Sequence, residues 1–213
     1  MNHPKKLVVF DLDGTLNATA LYSLPAQRKA IAEFGGPCYS DEVLRSCLGR
    51  RPSDYARELL PGLSEEDYDL YLQRELYWES VLMPMWHDSF PGVPEMLRRL
   101  QAEGYTTAIC SNSSIHYITM VLKNLELTDA IDCIQPLLPG MTKVDTLKKL
   151  LAEQSPDRAV MVGDRVYDKE AAQANGLPFI GCLYGYCPPE VEDADAAVQD
   201  GAELYAAVKR LIG

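Results

Sequence analysis

Two aspartates stand two residues apart in Phe10-Asp11-Leu12-Asp13-Gly14-Thr15, directly after the apolar run Leu7-Val8-Val9-Phe10. Carboxylates this close repel unless a cation or a proton lies between them, so the pair either binds metal or divides into one ionised and one protonated acid. The competing reading is a strand-end turn leading into a helix cap, where Asp and Gly are common and Gly14 permits the tight turn. A second acidic pair occupies Gly163-Asp164-Arg165-Val166-Tyr167-Asp168, again behind an apolar run. Placed four apart at a predicted helix start, Asp164 and Asp168 repel along one helical face, an effect only partly offset by the positive end of the helix. A hard divalent cation relieves that conflict. Coordination by a few carboxylates plus phosphate oxygens suits magnesium rather than zinc. Read alone, Asp164 is equally well a helix cap.

Two further features could handle an anion. Ser111-Asn112-Ser113-Ser114 follows a run ending at Cys110, and a hydroxyl with consecutive backbone N–H groups at a helix start cradles phosphate oxygens. Lys143 falls inside the capping pattern Thr142-x-x-Asp145, at the end of a helix that the macrodipole makes unfavourable for a cation. A lysine there is aimed at something negative, unless it is simply a solvated surface lysine.

The elements that must position these residues are legible as patterns. Leu7–Phe10, Thr106–Cys110, Ala159–Val162 and Phe179–Cys182 are short and nearly all apolar, as strands buried on both faces of a parallel sheet are. Helical patterns lie between them, one closing at Gly104 and another at Asn175-Gly176, which predicts an α/β doubly wound, Rossmann-like parallel sheet. Ligands of such sheets bind outside the carboxyl ends of the strands, where both acidic strings fall. Residues 17–88 break the alternation. They carry helical patterns only: Pro25 opens a helix that Gly35-Gly36 closes, and Ser64-Glu65-Glu66-Asp67 caps a helix with an apolar stripe of Tyr68, Tyr71, Leu72, Leu76 and Leu82. The expected organisation is a core of residues 1–16 and 89–213 with an inserted all-helical cap, 17–88.

In this chain order the motifs resemble those of the haloacid dehalogenase-like hydrolase superfamily, in particular its phosphoglycolate-phosphatase-like and beta-phosphoglucomutase-like branch. Asp11-x-Asp13-Gly14-Thr15 resembles the first motif, Ser111 the second, Lys143 the third and Gly163-Asp164-x-x-x-Asp168 the fourth; Phe90-Pro91-Gly92-Val93 resembles the return from the cap, and 181–186 the last strand and loop. The likeness spans nearly the whole chain. Asn17-Ala18-Thr19 departs from the acidic residue often found there, and Val144 stands where many relatives have proline.

The resemblance implies a magnesium-dependent phosphatase of small phosphorylated metabolites. Asp11 would be the covalent nucleophile and Asp13 the acid and base. Magnesium would be held by Asp11, the Asp13 carbonyl, Asp164 and Asp168, and the phosphoryl oxygens by Ser111 and Lys143. Gly14, Thr15 and Asn112 would line the substrate side. Arg50 and Arg51, in the cap string Leu48-Gly49-Arg50-Arg51-Pro52, would read an anionic group, while Trp86 and His87 are expected in hinge packing. The alternatives are a sugar phosphomutase, an inorganic pyrophosphatase and, more remotely, a phospho-accepting signalling domain or a non-catalytic binding protein.

Bulk properties bound the rest. With 213 residues, 47% hydrophobic and 24% charged, the chain can bury a proper core. A formal charge of -11 and a pI of about 4.7 argue against nucleic-acid or polybasic membrane-surface binding. The six cysteines form no C-x-x-C pair, and neither a signal-peptide core nor a membrane span is predicted. A cytoplasmic monomer or homodimer with reduced thiols is expected.

Overall fold

A computed structural model of the chain describes residues 4–213. In chain order the elements are β1 (Lys6–Phe10), α1 (Ala20–Glu33), α2 (Asp41–Cys47), α3 (Pro52–Leu59), α4 (Glu65–Leu82), α5 (Val93–Ala102), β2 (Thr106–Cys110), α6 (Ile115–Asn124), β3 (Cys133–Gln135), α7 (Lys143–Gln154), β4 (Arg158–Gly163), α8 (Val166–Ala174), β5 (Phe179–Cys182), α9 (Pro188–Val191), β6 (Ala196–Val198) and α10 (Gly201–Ile212). The six strands form one sheet in the order β3-β2-β1-β4-β5-β6, and every pairing is parallel. Strands β3 and β6 escape a search for apolar runs because they are three residues each. The sheet therefore continues past β5, the strand matched to the last one from sequence.

Successive side chains of a strand point to opposite faces, and β1 divides accordingly. Val8 and Phe10 join an apolar cluster with Leu97 and Leu100 of α5, Ile118 of α6 and Val208 of α10. Leu7 and Val9 join a second cluster with Leu147 and Leu150 of α7 and Ala171 of α8. Both faces are covered, and for that reason the strands read as continuous apolar runs instead of alternating ones.

Helices α1 to α4 form no part of the sheet and own a third cluster, which includes Ile31, Leu44, Tyr55, Leu59 and Tyr71. The two crossings between these helices and the sheet run side by side, with Ala18 N donating to Asp88 O at 3.0 Å and Phe90 N to Leu16 O at 3.4 Å.

Local expectations fare unevenly. Ser64 caps α4 through Asp67 N. Pro25 does not open α1 but lies inside it; proline removes one backbone donor, and packing of Tyr22, Ala26, Ala30 and Ile31 holds the helix through that gap. Trp86 is half-exposed, so it does not pack the hinge, while His87 Nδ1 lies 2.9 Å from Met83 O. The six cysteines are free, with Cys47, Cys110 and Cys182 buried. No helix among the described residues is long and apolar enough to cross a membrane.

Candidate active site

The chemistry-bearing strings all leave the carboxyl ends of the central strands: Asp11 follows β1, Ser111 follows β2 and Asp164 follows β4. Asp11 N donates to Val162 O at 2.8 Å and Ser111 N to Gln135 O at 3.2 Å, so the first residue beyond each strand is still held by the sheet. Lys143 arrives from α7, whose start is fixed by Thr142 and Asp145 in a reciprocal capping box.

Asp11, Asp164 and Asp168 each offer a carboxylate oxygen within 4.8 Å of the others. Lys143 Nζ stands 2.5 Å from an oxygen of both Asp11 and Asp168. The second oxygen of Asp168 accepts from Arg165 N at 3.0 Å, closing the first turn of α8. Asp164 does not cap that helix; its Oδ2 accepts from Tyr186 N at 2.7 Å. Among the described residues, Asp11 Oδ2 and Asp164 Oδ1 are buried without a hydrogen-bond partner. Two glycines clear the space around Asp164: a side chain at Gly14, whose φ is +88°, or at Gly185 would overlap its carboxylate.

One buried lysine does not neutralise three buried carboxylates, and the shortage shows at Asp11 and Asp164. Burial pushes Asp11 up to about 7 against the pull of Lys143, with Asp168 and Asp13 adding to the rise. Burial, then Asp11 and Asp168, hold Asp164 well above the usual carboxylate range. Burial alone would lower Lys143, but Asp11 and Asp168 outweigh it and raise it. A hard dication would supply the missing charge, and free, convergent oxygens are the donors it takes; the residues fit magnesium.

Asp13 faces a different environment. Its Oδ1 accepts from Thr19 Oγ1 at 2.6 Å, Tyr117 OH at 2.9 Å and Asn17 Nδ2 at 3.0 Å. Tyr22 OH joins the net, 2.7 Å from both Tyr117 OH and Asn17 Nδ2. Oδ2 keeps a single longer contact among the described residues, 3.3 Å from Ser113 Oγ. Sequence reasoning missed this cage; its one trace was Asn17-Ala18-Thr19, where the pattern departs from the family's.

The remaining candidates separate. Ser111 is buried and its Oγ accepts from Ser113 N at 3.1 Å. Thr15 is buried with its hydroxyl unpartnered among the described residues. Asn112 Nδ2 donates to Gly49 O at 3.1 Å, which ties it to the turn after α2. Arg50 lines a cavity of about 190 Å³ that opens on Asp13, but its guanidinium grips Glu58 at 2.8 and 2.5 Å. Arg51 lines another cavity, with Asn112 and Lys143, and donates to Met141 O at 2.6 Å. The two arginines thus face different spaces. Arg165, which no motif singled out, reaches from the core to the carbonyls of Leu48 and Ser46 while Glu190 holds its Nε at 3.0 Å.

Comparison with known proteins agrees with this fold. The sequence pattern described as haloacid dehalogenase-like hydrolase matches residues 8–182. The chain is 33% identical to a phosphoglycolate phosphatase of Thiobacillus denitrificans over 97% of each chain. It is 26% identical to the tyrosine-protein kinase PtkA of Mycobacterium tuberculosis over 85% of this chain and 63% of that one. Among solved structures, a predicted phosphatase from Clostridium acetobutylicum superposes with a TM-score of 0.87 at 22% identity, covering 98% of this chain and 100% of that one.

Proposed function

The chain belongs to the haloacid dehalogenase-like hydrolase family, and from that premise we propose a magnesium-dependent phosphatase of small phosphate monoesters that works through an aspartyl-phosphate on Asp11. The observation that carries this reading is the buried trio Asp11, Asp164 and Asp168 facing Lys143, with oxygens of Asp11 and Asp164 unpartnered among the described residues. A small-molecule phosphatase is also what the phosphoglycolate phosphatase relatives and the fold support together.

The Asp11 carboxylate attacks phosphorus while the bond from phosphorus to the ester oxygen breaks, and Asp13 gives that oxygen its proton. Asp13 then takes a proton from the water that attacks the aspartyl-phosphate, which releases inorganic phosphate, frees the Asp11 carboxylate and returns Asp13 to its acid form. Asn17, Thr19 and Tyr117 hold Asp13 Oδ1, so that Oδ2 meets the leaving oxygen in a fixed orientation. Lys143 and Ser111 hold phosphoryl oxygens, and Lys143 also offsets the charge of Asp11. Asp11, Asp164, Asp168 and the Asp13 carbonyl are the groups that would hold magnesium, which when bound neutralises phosphoryl charge.

Residues 17–88 serve as the cap in this reading. Arg165 and Asn112 grip residues 46–49, the end of α2 and the turn after it, from the core side, a grip that keeps bulk water from the phosphoryl group. The same core would serve a mutase, or a kinase such as PtkA, if an acceptor other than water took the phosphoryl group. Phosphate release from a panel of phosphate esters and pyrophosphate, with and without magnesium, tests the reading. Turnover that needs magnesium and vanishes in Asp11→Asn is expected; phosphoryl transfer to a sugar or protein hydroxyl without phosphate release overturns it.

A further inference from the structure

The cavity that opens on Asp13 is bounded on its far side by α4, and its wall there is acidic. The buried face of that helix runs Tyr68, Tyr71, Glu75, Glu79 and Leu82, so two glutamates occupy positions that an apolar stripe would normally fill. Both are buried, at 3% and 8% exposure, and both line the cavity. Tyr55 OH lies 3.0 Å from each oxygen of Glu75. Gln27, also lining the cavity, has a buried Oε1 without a partner among the described residues. Three carboxyl groups, Glu75, Glu79 and Asp13, thus share the lining, and Gln27 Oε1 is the acceptor left open. The lining contains one cation, Arg50, and its guanidinium is already bound through two nitrogens to Glu58.

Taking the phosphatase reading as given, we propose that this cavity receives the alcohol half of the substrate, and that Glu75, Glu79 and Gln27 select alcohols carrying further hydrogen-bond donors while turning away carboxylates. Gln27 Oε1 is a buried acceptor left unpaired among the described residues, which is costly, and a donor-bearing ligand satisfies it. A carboxylate in the same place is a buried anion set beside two carboxyl groups, with no free cation among the described lining residues to meet it. Burial pushes Glu75 up to about 7 and Glu79 well above the usual range, the response of carboxyls that lack a buried positive partner. The cavity of about 190 Å³ has room for a small polyol or amino alcohol. The phosphoglycolate named for the relatives has the opposite character, a leaving group that ends in a carboxylate.

The test compares glycerol phosphate and phosphoethanolamine, whose donors are hydroxyl and ammonium, with phosphoglycolate. Binding to Asp11→Asn protein with magnesium is measured by calorimetry, and kcat/KM is measured on the wild type. At least tenfold tighter binding and tenfold higher kcat/KM are expected for one of the donor-bearing esters, and whichever wins identifies the donor. Glu75→Gln and Glu79→Gln should each raise the ratio of phosphoglycolate to donor-ester kcat/KM about tenfold, a ratio independent of the fraction of folded protein. Phosphoglycolate bound as tightly as the others, or preferred and then lost in Arg50→Ala, overturns the proposal. Because binding to Asp11→Asn is read without turnover, a protein that binds donor esters but releases no phosphate contradicts the phosphatase reading and leaves the cavity's selectivity standing.

Discussion

Lys143 Nζ stands 2.5 Å from Asp11 Oδ1 although 132 residues separate them in the chain. Both are buried, so each is the other's main compensation for leaving water. Removing one partner of a buried pair leaves an uncompensated charge or forces proton uptake. Lys143→Met is therefore expected to lower kcat by about 10²–10³-fold, and to push Asp11 higher still. Steady-state kinetics against pH check this, the acidic limb of the profile moving upward in the variant.

Magnesium affinity follows from the same charge shortage. Asp11 is held at about 7, and a carboxyl must lose its proton to coordinate. Apparent affinity should rise with pH, by up to about tenfold per unit below pH 7, and level off above it. Isothermal titration with magnesium at pH 5.5, 6.5 and 7.5 measures it; affinity that is flat over this range would contradict the proposed role of Asp11.

Glu75 gives a stability prediction with a definite sign. Burial raises it from 4.5 to about 7, so between those values the folded state binds more protons than the unfolded one, and the group's contribution to stability falls as pH rises. Above pH 7 it is ionised in a buried setting. Glu75→Gln should leave stability near pH 4 almost unchanged and raise it by about 1–3 kcal/mol at pH 8. Urea unfolding at the two pH values reads the difference, and an equal effect at both contradicts the assignment.

Tyr117 OH lies 2.9 Å from Asp13 Oδ1 and 2.7 Å from Tyr22 OH. It touches no reacting atom in the proposed mechanism and acts through Asp13, as a positioning residue. Tyr117→Phe should lower kcat about tenfold with little change in KM. The loss should be greater for alcohols of high pKa, which need the proton most. A purely structural role would lower all substrates alike.

Arg165 ties the core to the end of α2 through the carbonyls of Ser46 and Leu48. Arg165→Ala should loosen the grip on that segment, raising KM several-fold. Hydrogen exchange at residues 46–50 should quicken while exchange in β1 and β4 does not; uniform protection in the variant argues against a clasp.

The sequence by itself determined the sheet strands that carry the chemistry, because strands buried on both faces must be apolar throughout and such runs are rare by chance. It also determined the four acidic positions, since aspartates directly beyond those runs have to fall at one edge of a parallel sheet. Short-range chemistry was equally legible: Thr142 and Asp145 cap α7 and so place Lys143. Tertiary structure decided whatever depends on residues far apart in the chain. It decided that Asp164 bonds to Tyr186 N rather than to its own helix, that Asp13 is caged from α1 and α6, and that Arg50 and Arg51 face different cavities. It also decided that Glu75 and Glu79 point inward. In sequence they are two acids four apart beside an apolar stripe, a pattern that a solvated helix face shares. Which side of a helix is buried is fixed by the packing of α1 and α3 against α4, and no local spacing encodes that packing.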